Sequence, residues 1–215
     1  SSDLDKIKVY VSKLAGMSDI DKVRENIDSS FRGKYKTYAV VEAIALDDVV
    51  DDFNFKIEEK CLSLIALQQP VAKDLRVIAA ILKVITDVER IGDYSVDIAK
   101  FSIRLAEKPL FKPLIDVPKM ADLVRKMLEE AITALVQRDL TIVQKVVEAD
   151  DQVDALYRSV HEEVVEHIEK DPSVTRQAIW ILMIARYLER VGDHITNIAE
   201  RVYYMETGEL IELHQ

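Results

Sequence analysis

Four pairs of carboxylates recur along the chain with the same spacing. The pairs are Asp47/Asp51, Glu89/Asp93, Asp150/Asp154 and Glu189/Asp193. A spacing of four residues places both side chains of a pair on one face of a helix, where like charges repel by about 0.2–0.5 kcal/mol per pair. A bound cation would remove this repulsion. The pairs therefore predict metal sites or, alternatively, acidic helix faces that solvent and basic residues such as Arg90 and Arg190 neutralise.

The ligand chemistry of these pairs is that of hard oxygen donors, because no Cys or His stands among them. Such donors suit Mg²⁺, Mn²⁺, Ca²⁺ or oxidised iron, whereas structural zinc prefers thiolate and imidazole, although zinc stays among the ions to test. A ferritin-like di-iron site needs a His three residues after a Glu, and no Glu of this chain has one. The sequence therefore predicts oxygen-ligated metal ions of open identity and disfavours the ferritin-like pattern.

The acidic pairs belong to an internal duplication. Asp150/Asp154 follow Asp47/Asp51 by 103 residues, and Glu189-Arg-Val-Gly-Asp193 follows Glu89-Arg-Ile-Gly-Asp93 by 100 residues. In each half the two pairs lie at nearly equal distances on either side of a proline. An antiparallel helix pair would therefore bring four carboxylates to one level. In the first half this places Asp51 near Glu89 and Asp47 near Asp93.

The elements that must position these residues are helices. Apolar residues such as Ile78, Ile81 and Ile85 repeat at steps of three and four residues, which is the pattern of a helix face. With 5 Gly and 5 Pro, the chain has too few turn residues for many short strands. We interpret Pro70 and Pro172 as helix starts, since proline at a first turn needs no amide partner. These features predict an all-α fold.

The breaks in the helical pattern divide the chain into about six helices, grouped three and three. Breaks fall near residues 32–34, 68–70, 109–118, 138–139 and 171–173. The segment 109–118 holds three of the five prolines and lies near the middle of the chain, so it predicts a linker. We therefore expect two tandem three-helix bundles, related by an internal pseudo-twofold repeat. The first bundle covers residues 1–108 and the second covers residues 119–215.

Composition excludes several classes of function. The chain has 29 Lys+Arg and 39 Asp+Glu, a net charge of −10, which disfavours binding to nucleic acid. The single Cys61 excludes an intramolecular disulfide and fits a reducing compartment. The longest apolar run, residues 178–185, is shorter than the roughly 18 residues of a transmembrane segment. With no signal-peptide pattern at its start either, the chain is expected to be cytoplasmic.

Motifs of common enzyme classes are also absent from the sequence. It contains no P-loop, nucleophile elbow or metallohydrolase signature, so we predict no catalytic residues and no enzyme activity. Metal ions held by carboxylates could activate water, which keeps a metal-dependent phosphohydrolase as an alternative function. A metal-storage helical bundle is the other alternative. A variant that loses the acidic pairs would separate these alternatives from a purely structural role.

Two longer segments resemble the PhoU family of phosphate-transport regulators. The first runs from Gln68-Gln-Pro-Val-Ala-Lys-Asp-Leu-Arg through Asp87-Val-Glu-Arg-Ile-Gly-Asp-Tyr, and the second is Tyr187-Leu-Glu-Arg-Val-Gly-Asp-His-Ile-Thr-Asn-Ile-Ala-Glu200. The resemblance implies two three-helix bundles related by a pseudo-twofold, with metal clusters, iron favoured, on the four acidic pairs. Among other positions, the two repeats differ where the first half has Asp97 and the second has Asn197. Asp97 is therefore a candidate extra ligand of the first site. His194 is expected to be exposed or to lie behind the metal ligands.

The same resemblance implies a regulatory function. Members of this family are described as cytoplasmic negative regulators of phosphate-starvation genes. They couple the phosphate-importing ABC transporter, through its ATPase subunit, to the membrane sensor histidine kinase of a two-component system. They are often dimeric, which implies a homodimer here. The resemblance thus predicts an adaptor whose partners are proteins.

Overall fold

The computed structural model describes residues 36–212, and five α-helices account for most of them. They are α1 (Lys36–Gln68), α2 (Lys73–Leu105), α3 (Asp116–Gln137), α4 (Leu140–Lys170) and α5 (Thr175–Thr207). A single turn of 3₁₀ helix, Pro172–Val174, precedes α5. No strand occurs between residues 36 and 212, and the predicted all-α fold is confirmed. The first of the six predicted helices lies outside the described residues.

Short polar turns mark where the helices of the second half begin and end. Asp139 precedes α4 and accepts a hydrogen bond from the backbone N–H of Thr141 at 2.8 Å, which caps the helix. Asp171 accepts a hydrogen bond from the backbone N–H of Ser173 at 3.0 Å at the start of the 3₁₀ turn. Gly208 follows α5 with φ of 83°, a left-handed conformation that glycine adopts without strain.

The turn between α1 and α2 differs from the prediction. α2 begins at Lys73, so Pro70 lies in the connection and not at the first position of the helix. Gln69 and Ala72 in this turn have φ values of 46° and 47°, which are left-handed and unfavourable for residues with a Cβ. The prediction that Pro70 starts a helix was therefore wrong, whereas Pro172 does open the 3₁₀ turn before α5.

Buried side chains form two hydrophobic cores. The smaller core joins α1 to α2 through Ile57, Cys61 and Ile81, and Met205 of α5 also contributes. The larger core joins α2 to the three helices of the second half; its members include Val84, Ile91, Met127, Val153 and Ile195. Among the described helices, α2 and α5 share the most extensive contact. Since α2 contributes to both cores, the two halves are packed against each other along this helix.

Residues 106–115 connect α2 to α3 without helical structure, and Gln177 of α5 holds this connection. The Nε2 of Gln177 donates to the carbonyl of Pro109 at 2.9 Å, and its Oε1 accepts from the N–H of Phe111 at 3.1 Å. The predicted division into residues 1–108, 109–118 and 119–215 stays a prediction. Across residues 36–212, no helix is both long and apolar enough to span a membrane.

Candidate functional site

The carboxylate of Asp47 on α1 packs directly against Gly92 on α2, in the segment that also carries Glu89 and Asp93. The Oδ1 atom of Asp47 occupies the space that a Cβ on Gly92 would need. Only glycine allows this approach, because any other residue would place its Cβ against the carboxylate. The glycine of the Glu-Arg-Ile-Gly-Asp motif therefore lets an acidic side chain of the facing helix reach the backbone of α2.

The second half repeats this arrangement. The Oδ1 atom of Asp150 on α4 lies 2.8 Å from the position of a Cβ on Gly192 of α5, and the side chain of Asp150 is buried. Val153 and Met127 close the other sides of Gly192. The two halves thus place an aspartate of one helix against the motif glycine of the next, in the register that the equal spacing around Pro70 and Pro172 predicts.

The electrostatic environment of Asp47 is unfavourable to its charge. Burial is the main cause that raises the pKa of Asp47 from 3.8 to about 6, and the charges of Asp51, Asp93, Asp48 and Glu89 act in the same direction. Its Oδ1 atom is buried and has no hydrogen-bond partner among the described residues. The structure therefore brings together all four predicted acidic residues of the first half, and Asp47 binds a proton more readily than a free aspartate.

Glu189 is the corresponding group of the second half. Burial raises its pKa, and the charge of Asp193, followed by that of Asp154, acts in the same direction, while Arg186 opposes them. Arg186 donates a hydrogen bond to Oε1 of Glu189, whereas Oε2 is buried without a hydrogen-bond partner among the described residues. The second site thus combines Asp154, Glu189 and Asp193 with the buried Asp150.

Basic residues neutralise the two acidic groups to different extents. Arg90 donates to Asp93 at 2.8 Å and lies 3.5 Å from Glu89, with half of its side chain exposed to solvent. Arg190, its counterpart in the second repeat, lies over the ring of Tyr94 at 5.5 Å. The alternative interpretation, in which arginines neutralise the acidic faces, therefore applies to Arg90, which pairs with Asp93 and Glu89. In the second half Arg186 pairs with Glu189, and the charge of Arg190 opposes the rise in the pKa of Glu189 with a smaller effect.

The donor types at both sites fit a hard cation in their chemistry. The carboxylates supply oxygen ligands only, and Asp47 and Glu189 each have a buried oxygen without a hydrogen-bond partner among the described residues. In the positions that the described side chains adopt, however, no three Asp, Glu, His or Cys groups converge as the ligands of one ion. A proton can satisfy the same oxygens, so metal binding by these residues stays a prediction.

A second polar cluster, which the sequence analysis did not identify, joins the two halves. The Nδ1 atom of His194 lies 2.9 Å from Oδ1 of Asp87, and Asn197 donates to the same oxygen at 3.2 Å. The rings of Tyr94 and Tyr187 stack nearby, with centroids 5.5 Å apart. His194 therefore contacts Asp87 of the first half. The sequence feature that could have indicated this cluster is the recurrence of polar residues beside the motif in both repeats.

The contacts of this cluster come in pairs related by the repeat of 100 residues. Asp87 with His194 is the counterpart of Tyr94 with Tyr187, and Asp87 with Asn197 is the counterpart of Asp97 with Tyr187. Tyr94 and His194 occupy equivalent positions and contact each other, with ring centroids 5.7 Å apart. The pseudo-twofold axis therefore passes between α2 and α5 at this point.

Asp97 belongs to this interface. It pairs with Lys100 at 2.9 Å and forms a hydrogen bond with Tyr187 of α5. The interpretation of Asp97 as an additional ligand beside Glu89 and Asp93 is therefore not supported by its contacts, which join it to Lys100 of its own helix and to Tyr187 of the other half.

Comparison with known proteins places these features in one family. The PhoU domain matches residues 20–102 and, a second time, residues 117–202. A phosphate-specific transport system accessory protein PhoU homolog from Aquifex aeolicus is 35% identical over 212 residues, which are 98% of this chain and 94% of that protein. The protein of the same name from Deinococcus radiodurans is 41% identical over 167 residues, 78% of each chain.

Solved structures agree with these matches. The crystal structure of PhoU from Pseudomonas aeruginosa superposes with a TM-score of 0.88 at 29% identity, covering 97% of this chain and 99% of that chain. The phosphate transport system regulatory protein PhoU from Streptococcus pneumoniae, 24% identical with a TM-score of 0.78, shows the same fold. The resemblance carried by the duplicated Glu-Arg-Ile/Val-Gly-Asp motif is confirmed, and the chain belongs to the PhoU family.

Proposed function

We propose that this protein is an accessory regulator of phosphate uptake that couples a phosphate-importing ABC transporter to a sensor histidine kinase. Supporting this proposal is the double PhoU domain match over residues 20–102 and 117–202, together with the accessory-protein name of relatives that cover nearly the whole chain. Membership of this family of accessory and regulatory proteins confirms the prediction that the chain is not an enzyme. The regulator would act in the cytoplasm, as a homodimer, by holding phosphate-starvation genes off when phosphate is plentiful.

Metal binding at the acidic pairs is the second part of the proposal. In the first site Asp47, Asp51, Glu89 and Asp93 would hold the ion, and in the second site Asp150, Asp154, Glu189 and Asp193 would do so. The repeated contact of an aspartate with a motif glycine supports this assignment, because both halves maintain crowded like charges at the same place. A cation would reduce the repulsion among these carboxylates and would fix the two facing helices in one register.

Elemental analysis of the purified protein tests the metal sites. Parent protein and two variants, Glu89→Gln with Asp93→Asn and Glu189→Gln with Asp193→Asn, would be reconstituted with iron, manganese, magnesium, calcium and zinc in turn. We expect each variant to lose the metal of its own half. The matched control is Glu162→Gln with Glu166→Gln, an exposed pair of the same spacing on α4, which should keep the full content. Equal metal content in all four proteins would reject these ligands.

Binding experiments with purified partners test the regulatory function. The full chain would be immobilised and exposed separately to the transporter ATPase subunit and to the cytoplasmic part of the sensor kinase, each with and without phosphate. We expect binding to both, since an adaptor must contact both signal source and receiver. A deletion strain complemented with the chain should also repress phosphate-starvation genes in rich phosphate. Absence of binding to either partner, together with failure to repress, would reject the proposed function.

A further inference from the structure

The outer face of α1 exposes two large apolar side chains. Phe55 is 70% exposed and Leu62 is 54% exposed. They stand seven residues apart and therefore on the same side of the helix, about 10 Å from each other along its axis. Ala66, four residues after Leu62, is exposed on the same side. Large apolar groups that recur on one helix face and remain in contact with water are typical of an interaction surface.

The repeat shows that this face points away from the bundle. Ile57 and Cys61 of α1 are buried, as are Val160 and Val164, the residues 103 positions later on α4. Phe55 and Leu62 correspond in the same way to Arg158 and Val165, both of which are exposed. In the second half, where α3, α4 and α5 are all described, these positions face outward. The apolar side chains of α1 therefore lie on the outer surface of the protein.

Acidic residues surround the two apolar side chains. Asp48, Asp52, Glu58 and Glu59 are exposed on or beside the same face of α1. Lys56 pairs with Asp52 at one edge, which leaves an excess of negative charge around Phe55 and Leu62. At the equivalent of Phe55 the second half has an arginine, Arg158, so α4 does not repeat this combination of an exposed aromatic side chain with acidic groups.

We propose that this surface, the outer face of α1 from Asp48 to Ala66, binds a basic amphipathic helix of a partner protein. Apolar side chains of the partner would cover Phe55 and Leu62, and its Lys and Arg would meet the surrounding carboxylates. The charge argues against two other occupants. A second copy of this face would bring like charges together, and an anionic membrane would repel the acidic residues. The assignment of this surface follows from its exposed apolar and acidic side chains alone, whereas the identity of the partner rests on the proposed function.

A pair of designed peptides tests the chemistry of this surface. One is a helical peptide with Leu on one face and Lys on both flanks, and the other replaces each Lys by Glu. Binding would be measured by fluorescence anisotropy at physiological salt. We expect the Lys peptide to bind and the Glu peptide not to bind. The double variant Phe55→Ser with Leu62→Ser should lower the affinity for the Lys peptide by about tenfold or more. The control Val165→Ser on α4 should keep full affinity. Equal losses in both variants, or equal binding of the Glu peptide, would overturn the proposal.

The same variants, used with whole partners, distinguish this proposal from the proposed function. Loss of ATPase or kinase binding in the Phe55→Ser/Leu62→Ser variant, with a normal thermal melt, supports the surface and identifies its partner. Unchanged binding overturns the surface as the docking site while the proposed function stands. If neither partner binds the parent protein, the proposed function fails and the peptide result alone decides. A variant that changes only the oligomeric state, or only binding to anionic vesicles, would show another occupant and overturn the proposal.

Discussion

Asp87 of α2 and His194 of α5 form a polar contact across the boundary between the two halves, with 2.9 Å between Oδ1 and Nδ1. Asp87 also accepts from Asn197, so a single carboxylate joins two residues of the opposite helix. Both partners lie largely within the interface, since the side chains of His194 and Asp87 are 22% and 14% exposed. The contact is therefore a polar link between the two repeats, formed two residues before Glu89 on α2 and one residue after Asp193 on α5.

Replacing Asp87 should weaken this link. Asp87→Ala removes the acceptor of His194 and Asn197 and leaves their donors in a partly buried place, so we expect the free energy of unfolding to fall by about 1–3 kcal/mol. Urea unfolding followed by circular dichroism measures this loss. Asp97→Ala is the control from the equivalent contact of the repeat: its carboxylate is more exposed, at 36%, and we expect a smaller loss. Equal losses in the two variants would contradict the prediction.

The motif glycines should differ in their tolerance of a methyl group. Gly192 lies in a buried site, where a Cβ would meet Oδ1 of Asp150 at 2.8 Å and contact Val153. Gly192→Ala should therefore cost about 1–3 kcal/mol through overpacking, less the gain of about 1 kcal/mol that alanine brings to a helix. Gly92→Ala faces the less buried Asp47, which can turn toward solvent, so its net effect should lie near zero.

Thermal denaturation and metal titration separate the two effects of these glycine variants. Both substitutions push an aspartate away from the backbone of the facing helix, so both should lower any cation affinity of their own half. Only Gly192→Ala should also lower the melting temperature appreciably. A larger destabilisation by Gly92→Ala than by Gly192→Ala would show that burial of the aspartate does not decide the cost.

Between residues 36 and 212 the sequence was sufficient to predict the helices, apart from the start of α2, and the level at which their acidic residues meet, because both depend on local patterns. Apolar periodicity marks the helices, and the equal distances of Asp51 and Glu89 from Pro70 set the level at which the acidic residues meet. The interface between the halves could not be predicted in this way. His194 and Asp87 are 107 residues apart, and their contact depends on the angle at which α2 crosses α5. The role of Gly92 likewise depends on how closely α1 approaches α2, and this distance cannot be predicted from the spacing of residues along the chain.

The raised pKa of Asp47 predicts how stability depends on pH in the presence of a chelator. Because its pKa is about 6 in the folded protein and 3.8 in the reference state, folding favours the protonated carboxyl. This contribution is fully present below about pH 4 and is lost as the pH rises through about 6. Asp47→Asn keeps a neutral group of the same shape. The variant should therefore be more stable than the parent at pH 8, by about 1 kcal/mol after allowance for solvent screening.

Urea unfolding at pH 4.5 and at pH 8 measures this difference. At the lower pH the two proteins should have more similar stabilities, since the carboxyl of the parent is then mainly protonated. Asp122→Asn serves as the control, because the side chain of Asp122 is 64% exposed. A parent and an Asp47→Asn variant whose difference in stability does not change with pH would contradict the assignment of a raised pKa to this carboxyl.

Cys61 should be unreactive in the folded protein. Its side chain is fully buried in the core between α1 and α2, and burial, with a smaller effect of Glu58, raises the pKa of the thiol to about 11. At pH 8 the group is therefore a buried thiol, while disulfide exchange requires an accessible thiolate. Cys61 should react with one equivalent of Ellman's reagent in denaturant and should react slowly in native buffer, at a rate that reports local opening of α1.

The neighbouring exposed position supplies the positive control: Leu62→Cys in a Cys61→Ala background should react at once, because residue 62 is exposed. Rapid reaction of Cys61 in the parent protein would instead mean that the contact between α1 and α2 opens readily in solution.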